Sequence, residues 1–170
     1  MNKTCVYYCE GEDDQKLIDS LKVFPSKLLP GKSRKLNVVQ NLIPKSILLG
    51  IKPETNVALV FDTDVTTNLD VIKKNIENIR KYCHGVKIIY LLQVKNLEDE
   101  LVRCTDVKTI LELTKSKSLS NFKTDFRKMK DEQCRNTLER HRIDVGSLWT
   151  TKAPDEFEFT ERNSGAVKKC

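Results

Sequence analysis

Three short apolar runs, each followed by helical periodicity, constrain the fold of this 170-residue chain more than any other feature. Residues 4–9 (TCVYYC), 56–61 (NVALVF) and 86–93 (VKIIYLLQ) are apolar at most positions rather than at alternate ones. A strand apolar on both sides is covered on both sides, as in parallel sheets with helices on each face. The helices follow in sequence. Leu17, Ile18 and Leu21 share a face after the first run. Leu69, Ile72, Ile76, Ile79 and Cys83 share one after the second, ending at Gly85. This alternation predicts an α/β fold of Rossmann-like type, a mainly parallel sheet flanked by helices.

The segments between are less regular. Residues 23–29 read as a short strand weakened by Pro25, and Pro30-Gly31 as a turn. Ser33 suits the cap of a helix running towards Leu49, with Leu36, Val39, Ile43 and Ile47 at helical spacing and a kink at Pro44. Residues 95–114 read as helix, broken near Asp106. Leu119, Phe122, Phe126 and Met129 begin a long basic helix reaching about Arg142. Periodicity is lost after Trp149. The expected organisation is a core over 1–114, a basic helical C-terminal extension over 115–150 packed on it, and a loose tail over 151–170.

Composition narrows the classes. With 39% hydrophobic and 32% charged residues the chain is charge-rich but globular. No apolar run approaches the roughly 20 residues of a membrane span, and no secretory h-region follows Met1, so a cytoplasmic protein without membrane contact is expected. Six cysteines without a C-x-x-C pair read as reduced thiols rather than a disulfide scaffold or a zinc site. His84 and His141 have no partner at metal-ligand spacing. The net charge of +6 is unevenly distributed: residues 27–52 carry six cations and no acid, and residues 115–142 nine cations and four acids. Such runs suit a polyanionic partner, or form a solvated surface.

Against this basic background two acidic motifs stand directly after strands. The first run ends in Cys9-Glu10-Gly11-Glu12-Asp13-Asp14, the second in Phe61-Asp62-Thr63-Asp64. In a parallel sheet both ends lie on one edge, the edge that binds ligands where strand order reverses. Glu10, Asp62 and Asp64 are therefore expected to converge. Clustered carboxylates raise one another's pKa unless a cation neutralises them, and hard oxygen ligands suit Mg²⁺ or Mn²⁺. Each acid could instead simply begin the next helix, since helix N-termini favour acids. A third acidic group, Glu98-Asp99-Glu100, follows the run at 86–93 and is open to the same two readings.

These motifs resemble the Toprim domain of primases, topoisomerases and overcoming-lysogenization-defect nucleases, over roughly residues 3–104. The carriers are the strand ending in Glu10-Gly11, its continuation to Asp14 as in nuclease-like members, the strand ending in Asp62-Thr63-Asp64, and Leu97-Glu98-Asp99-Glu100-Leu101 as a looser version of a short motif of small phage-defence relatives. The resemblance implies a Toprim/Rossmann-like core and a metal-dependent nuclease, plausible in phage or host defence. Glu10 would act as general acid/base or ligand, and Glu10, Asp14, Asp62, Asp64 and Glu98 would hold one or two metal ions. Lys123 and Lys32 are candidates to neutralise the transition state. Lys32, Arg34, Lys35, Arg127 and Lys128 would grip nucleic-acid phosphates, and the basic extension would grip the same backbone or dock a partner ATPase.

Other readings compete. Phe61-Asp62-Thr63-Asp64-Val65-Thr66 also resembles the signature of haloacid-dehalogenase-type phosphatases, in which Asp62 would be the nucleophile and Asp64 the general acid; there the motif normally sits on the first strand. A phosphoreceiver domain would use Asp13, Asp14 and Asp62 but needs a Lys on a fifth strand. A catalytically silent Toprim-like module binding nucleic acid or protein is compatible with the same residues. Gly31-Lys32-Ser33 resembles the end of a P-loop, but Ser26 stands where its first Gly belongs, so it reads as a turn.

Overall fold

A computed structural model of the chain describes residues 4–23, 25–64 and 69–169. Four parallel strands form one sheet: β1 (Cys5–Cys9), β2 (Ser33–Lys35), β3 (Asn56–Asp62) and β4 (Ile88–Gln93), in the order β2-β1-β3-β4. The helices are α1 (Glu12–Lys22), α2 (Lys45–Leu49), α3 (Asp70–Tyr82), α4 (Leu97–Arg103), α5 (Ile110–Thr114), α6 (Leu119–Lys128) and α7 (Asp131–Arg140). The chain has an α/β, Rossmann-like fold.

Side chains alternate across the sheet, and both faces are apolar, as strands buried on two sides require. Tyr7, Ala58, Val60, Ile89 and Leu91 pack under Leu17, Leu21, Leu101, Phe122, Phe126, Leu138 and Trp149, from α1, α4, α6, α7 and the following loop. Tyr8, Leu59, Phe61, Tyr90 and Leu92 pack on the opposite face with Leu48, Ile72, Ile76, Ile79 and Phe157. The basic extension is therefore one wall of the core, with α6 and α7 packed along α1. Among the described residues five cysteines are free and buried, and no helix is long and apolar enough to cross a membrane.

Four segments differ from their sequence patterns. The edge strand is 33–35, not 23–29, and residues 33–44 are not helical. The reason is backbone pairing with β1: the Cys5 amide donates to the Pro30 carbonyl, Tyr7 to Lys32, and Leu36 to Cys9. This approach depends on Gly31 (φ 151°), where a Cβ would lie 1.7 Å from the Cys5 carbonyl oxygen. Asn37 then accepts from the Val39 and Gln40 amides in an Asx turn, and Pro44 caps the short α2 rather than kinking a long helix. The 95–114 segment does break, into α4 and α5. The groups freed there are taken up by the loop after α7, with the Asp106 amide on the His141 carbonyl and the Asp144 amide on that of Cys104.

The long basic helix is two helices, interrupted at Met129 (ψ 141°) and Lys130 (ψ 150°). Lys16 satisfies the break by donating to the Met129 carbonyl and to Asp131. Asp131 and Glu132 open α7 where its dipole favours acids. Finally, the segment expected as a loose tail is packed. Phe157 and Val167 are buried. The Asn163 side chain accepts from the Tyr90 amide and donates to the Ile88 carbonyl, capping the free edge of β4. Single anchors and backbone pairs hold this stretch, so it carries no periodicity for a sequence pattern to reveal.

Candidate functional site

The chain steps from β1 to β2 in one direction across the sheet and from β3 to β4 in the other, so strand order reverses between β1 and β3. Diverging connections leave a crevice outside the carboxyl ends of those two strands. Glu10 follows β1 and Asp62 ends β3, and they meet in this crevice. One Glu10 carboxylate oxygen accepts from the Asp62 backbone amide at 3.0 Å, and the other from the Asn37 side-chain amide at 2.9 Å. Asp14, in the first turn of α1, folds back to accept from the Gly11 amide at 2.7 Å.

The acids sense one another. Burial pushes the Asp62 carboxyl up to about 8, and the charges of Asp14, Glu10, Asp64 and Glu98 add to the shift. Asp14 rises to about 6, mainly through burial, against the pull of the Gly11 amide. Glu10 is also raised by burial, opposed by its bonds to Asp62 and Asn37 and reinforced by Asp64. Asp62 Oδ1 is buried and has no hydrogen-bond partner. At the end of β4 the side chain of the fully buried Gln93 lies against Asp14 and helps to hold its carboxyl down. Asp64 is exposed at the mouth of the crevice.

Cations from two parts of the chain surround these acids. Lys123 on α6 pairs with Glu98 at 3.0 Å. Arg127, one turn further, makes two 2.7 Å bonds to Asp13 and lies 3.6 Å from Glu12. Lys35, from β2, reaches Glu12 at 2.8 Å. The two basic runs therefore meet the acidic motifs at one rim, which connects α6 to α1 and α4. Lys32 and Arg34 line a different cleft, and Lys128 is exposed without an ion pair among the described residues.

Of the sequence-predicted ligands, Glu10 and Asp62 are thus in contact, and Asp14, Asp64 and Glu98 lie within electrostatic reach of Asp62. Among the described residues no group of three or more Asp, Glu, His or Cys side chains is arranged to hold a metal ion. The side chains have other partners: Glu10 turns to two N–H donors, Asp14 to Gly11, and Glu98 to Lys123. The donor chemistry nevertheless fits a hard cation. The acids are all oxygen donors of like charge, and one buried carboxylate oxygen is orphaned. Two residues of the site were not legible beforehand. Asn37 falls in a stretch patterned as helix, and Gln93 ends an apolar strand. Polar atoms without a marked motif give no sequence signal. Compared with protein-family models, curated proteins and solved structures, the chain matches none of them.

Proposed function

We propose that this rim is a divalent-cation site of Toprim type and that the protein is a Mg²⁺- or Mn²⁺-dependent nuclease hydrolysing nucleic-acid phosphodiesters. The observation that carries the reading is the hydrogen bond from the Asp62 backbone amide to the Glu10 carboxylate at the switch point of the sheet, beside an orphaned Asp62 carboxylate oxygen. Uncompensated acids stabilise a fold poorly, so their convergence favours a ligand of opposite charge.

Asp62 and Asp64, with Glu10, would hold the cation, and Asp14 and Glu98 would complete the ligand set. The cation supplies neutralisation of charge at the phosphodiester and a bound water acidic enough to attack near neutral pH. Glu10, its affinity for a proton raised by burial, would take a proton from the attacking water or return one to the leaving oxygen. Lys123 would pass from Glu98 to a phosphate oxygen in the transition state. Lys35 and Arg127, paired with acids of the rim, and the exposed Lys128 would contact the phosphates of a bound strand. The resemblance also suggests a role in phage or host defence, in the cytoplasm and with a partner such as an ATPase.

The test is cleavage of labelled DNA and RNA by the purified chain with Mg²⁺, with Mn²⁺ and with chelator. Activity that requires the cation and is lost in Glu10→Gln and Asp62→Asn supports the nuclease. Phosphate released from small phosphomonoesters, with Glu10→Ala still active, would replace it by the phosphatase. Nucleic-acid binding without turnover, insensitive to both substitutions, would replace it by a silent binding module.

A further inference from the structure

Away from the acidic rim, a cleft of about 440 Å³ opens beside the edge strand β2. It runs from the amino ends of the strands, at Thr4, Lys32 and Thr55, along the face covered by α2. Three cations line it: Lys32, Arg34 and Lys52. Among the described residues no carboxylate lines it, and none of the three is ion-paired. Lys16, Lys35, Lys123 and Arg127 all have an acid within 4 Å. At this cleft three cations instead gather on one concave surface without a counter-charge. Such focused positive potential favours an anion.

The lining also includes an apolar group, Ile47, Gly50 and Ile51, at and just after the end of α2. Beneath lies Tyr8, 1% exposed, whose hydroxyl has no hydrogen-bond partner. Tyr8 is in register with Arg34 across the β1–β2 pair, so the two side chains share a sheet face. A buried hydroxyl without a partner in the protein is open to a water, an ion or a ligand. Gly31 and Lys32, the residues that resembled the end of a P-loop, sit at this cleft on an extended segment rather than at a helix start.

We propose that this cleft binds a nucleotide, its phosphates held by Lys32, Arg34 and Lys52 and its base against Ile47 and Ile51. An anionic head with a flat body fits a site lined by both uncompensated cations and aliphatic side chains. The size matches: small-ligand sites occupy roughly 300–1,000 Å³. The site lies on a different part of the sheet from the acidic rim and does not depend on nuclease activity.

The experiment is calorimetric titration of the full chain with AMP, ADP and inorganic phosphate in the presence of chelator, repeated with a short single-stranded oligonucleotide. Saturable nucleotide binding is expected, weaker for phosphate alone. Arg34→Ala should lower affinity about tenfold or more, as loss of a charge-assisted contact does. Lys32→Ala and Lys52→Ala should each lower it. Lys152→Ala, an exposed cation paired with Asp155 outside the cleft, should leave it unchanged. A thermal melt of each variant confirms folding. The proposal is overturned if nucleotide does not bind saturably, if phosphate binds as tightly as nucleotide, if Arg34→Ala binds normally, or if only the oligonucleotide binds.

Discussion

Replacing Asp62 by Asn should stabilise the protein at pH 8, although Asp62 is central to the proposed site. Asp62 ionises near 3.8 in an unfolded chain and at about 8 in the folded one, chiefly because it is buried and then because Asp14, Glu10, Asp64 and Glu98 surround it. Below pH 4 the group is protonated in both states and makes no difference. Between pH 4 and 8 the folded protein binds a proton that the unfolded chain has released, so stability falls as pH rises. Four units at 1.36 kcal/mol each give about 5 kcal/mol at the upper limit, and solvent at the partly exposed side chain reduces this to about 2–4 kcal/mol. Asparagine is isosteric, removes the charge, and brings an N–H donor to neighbouring carboxylates. Urea unfolding with chelator should find wild type and Asp62→Asn alike at pH 4 and the variant more stable at pH 8. Added Mg²⁺ should then raise wild-type stability and leave the variant unchanged. A variant no more stable than wild type at pH 8 would refute the claim that Asp62 stands among uncompensated charges.

Further outcomes follow from other contacts. Glu10→Gln should abolish cation-dependent cleavage and change stability by only about 1 kcal/mol, since the amide can still accept from Asn37 or from the Asp62 amide; cleavage assays and chemical unfolding measure the two separately. Arg127→Ala breaks a bidentate but partly exposed pair with Asp13, so denaturation should show a loss of about 1 kcal/mol that shrinks at high salt. Phe157→Ala empties a buried position against Phe61 and should cost about 3 kcal/mol, with proteolysis shifting to residues 151–169.

That last result would bear on how far the sequence could be read. The central strands and α1 and α3 were legible because dense apolar runs and one-sided periodicity leave few alternatives, and their alternation implied a parallel sheet. The acidic strand ends were legible for the same reason: parallel strands deliver their carboxyl ends to one edge, so Glu10 and Asp62 had to be neighbours once β1 and β3 were. Residues 33–44 were misread because apolar spacing there suited a helix, whereas backbone bonds to β1, made possible by Gly31, were worth more than local propensity.

The sequence by itself determined three of the four strands, their two apolar faces and the edge where acids gather, because these follow from local patterning and strand direction. Tertiary structure alone decided which cations meet those acids, that Asn37 braces Glu10, that Asn163 seals the edge of β4, and that Lys32, Arg34 and Lys52 share a cleft without a counter-charge. These are meetings of polar groups distant in the chain. Hydrogen bonds and ion pairs depend on distance and orientation in space, and such polar groups carry no period along the sequence that would reveal them.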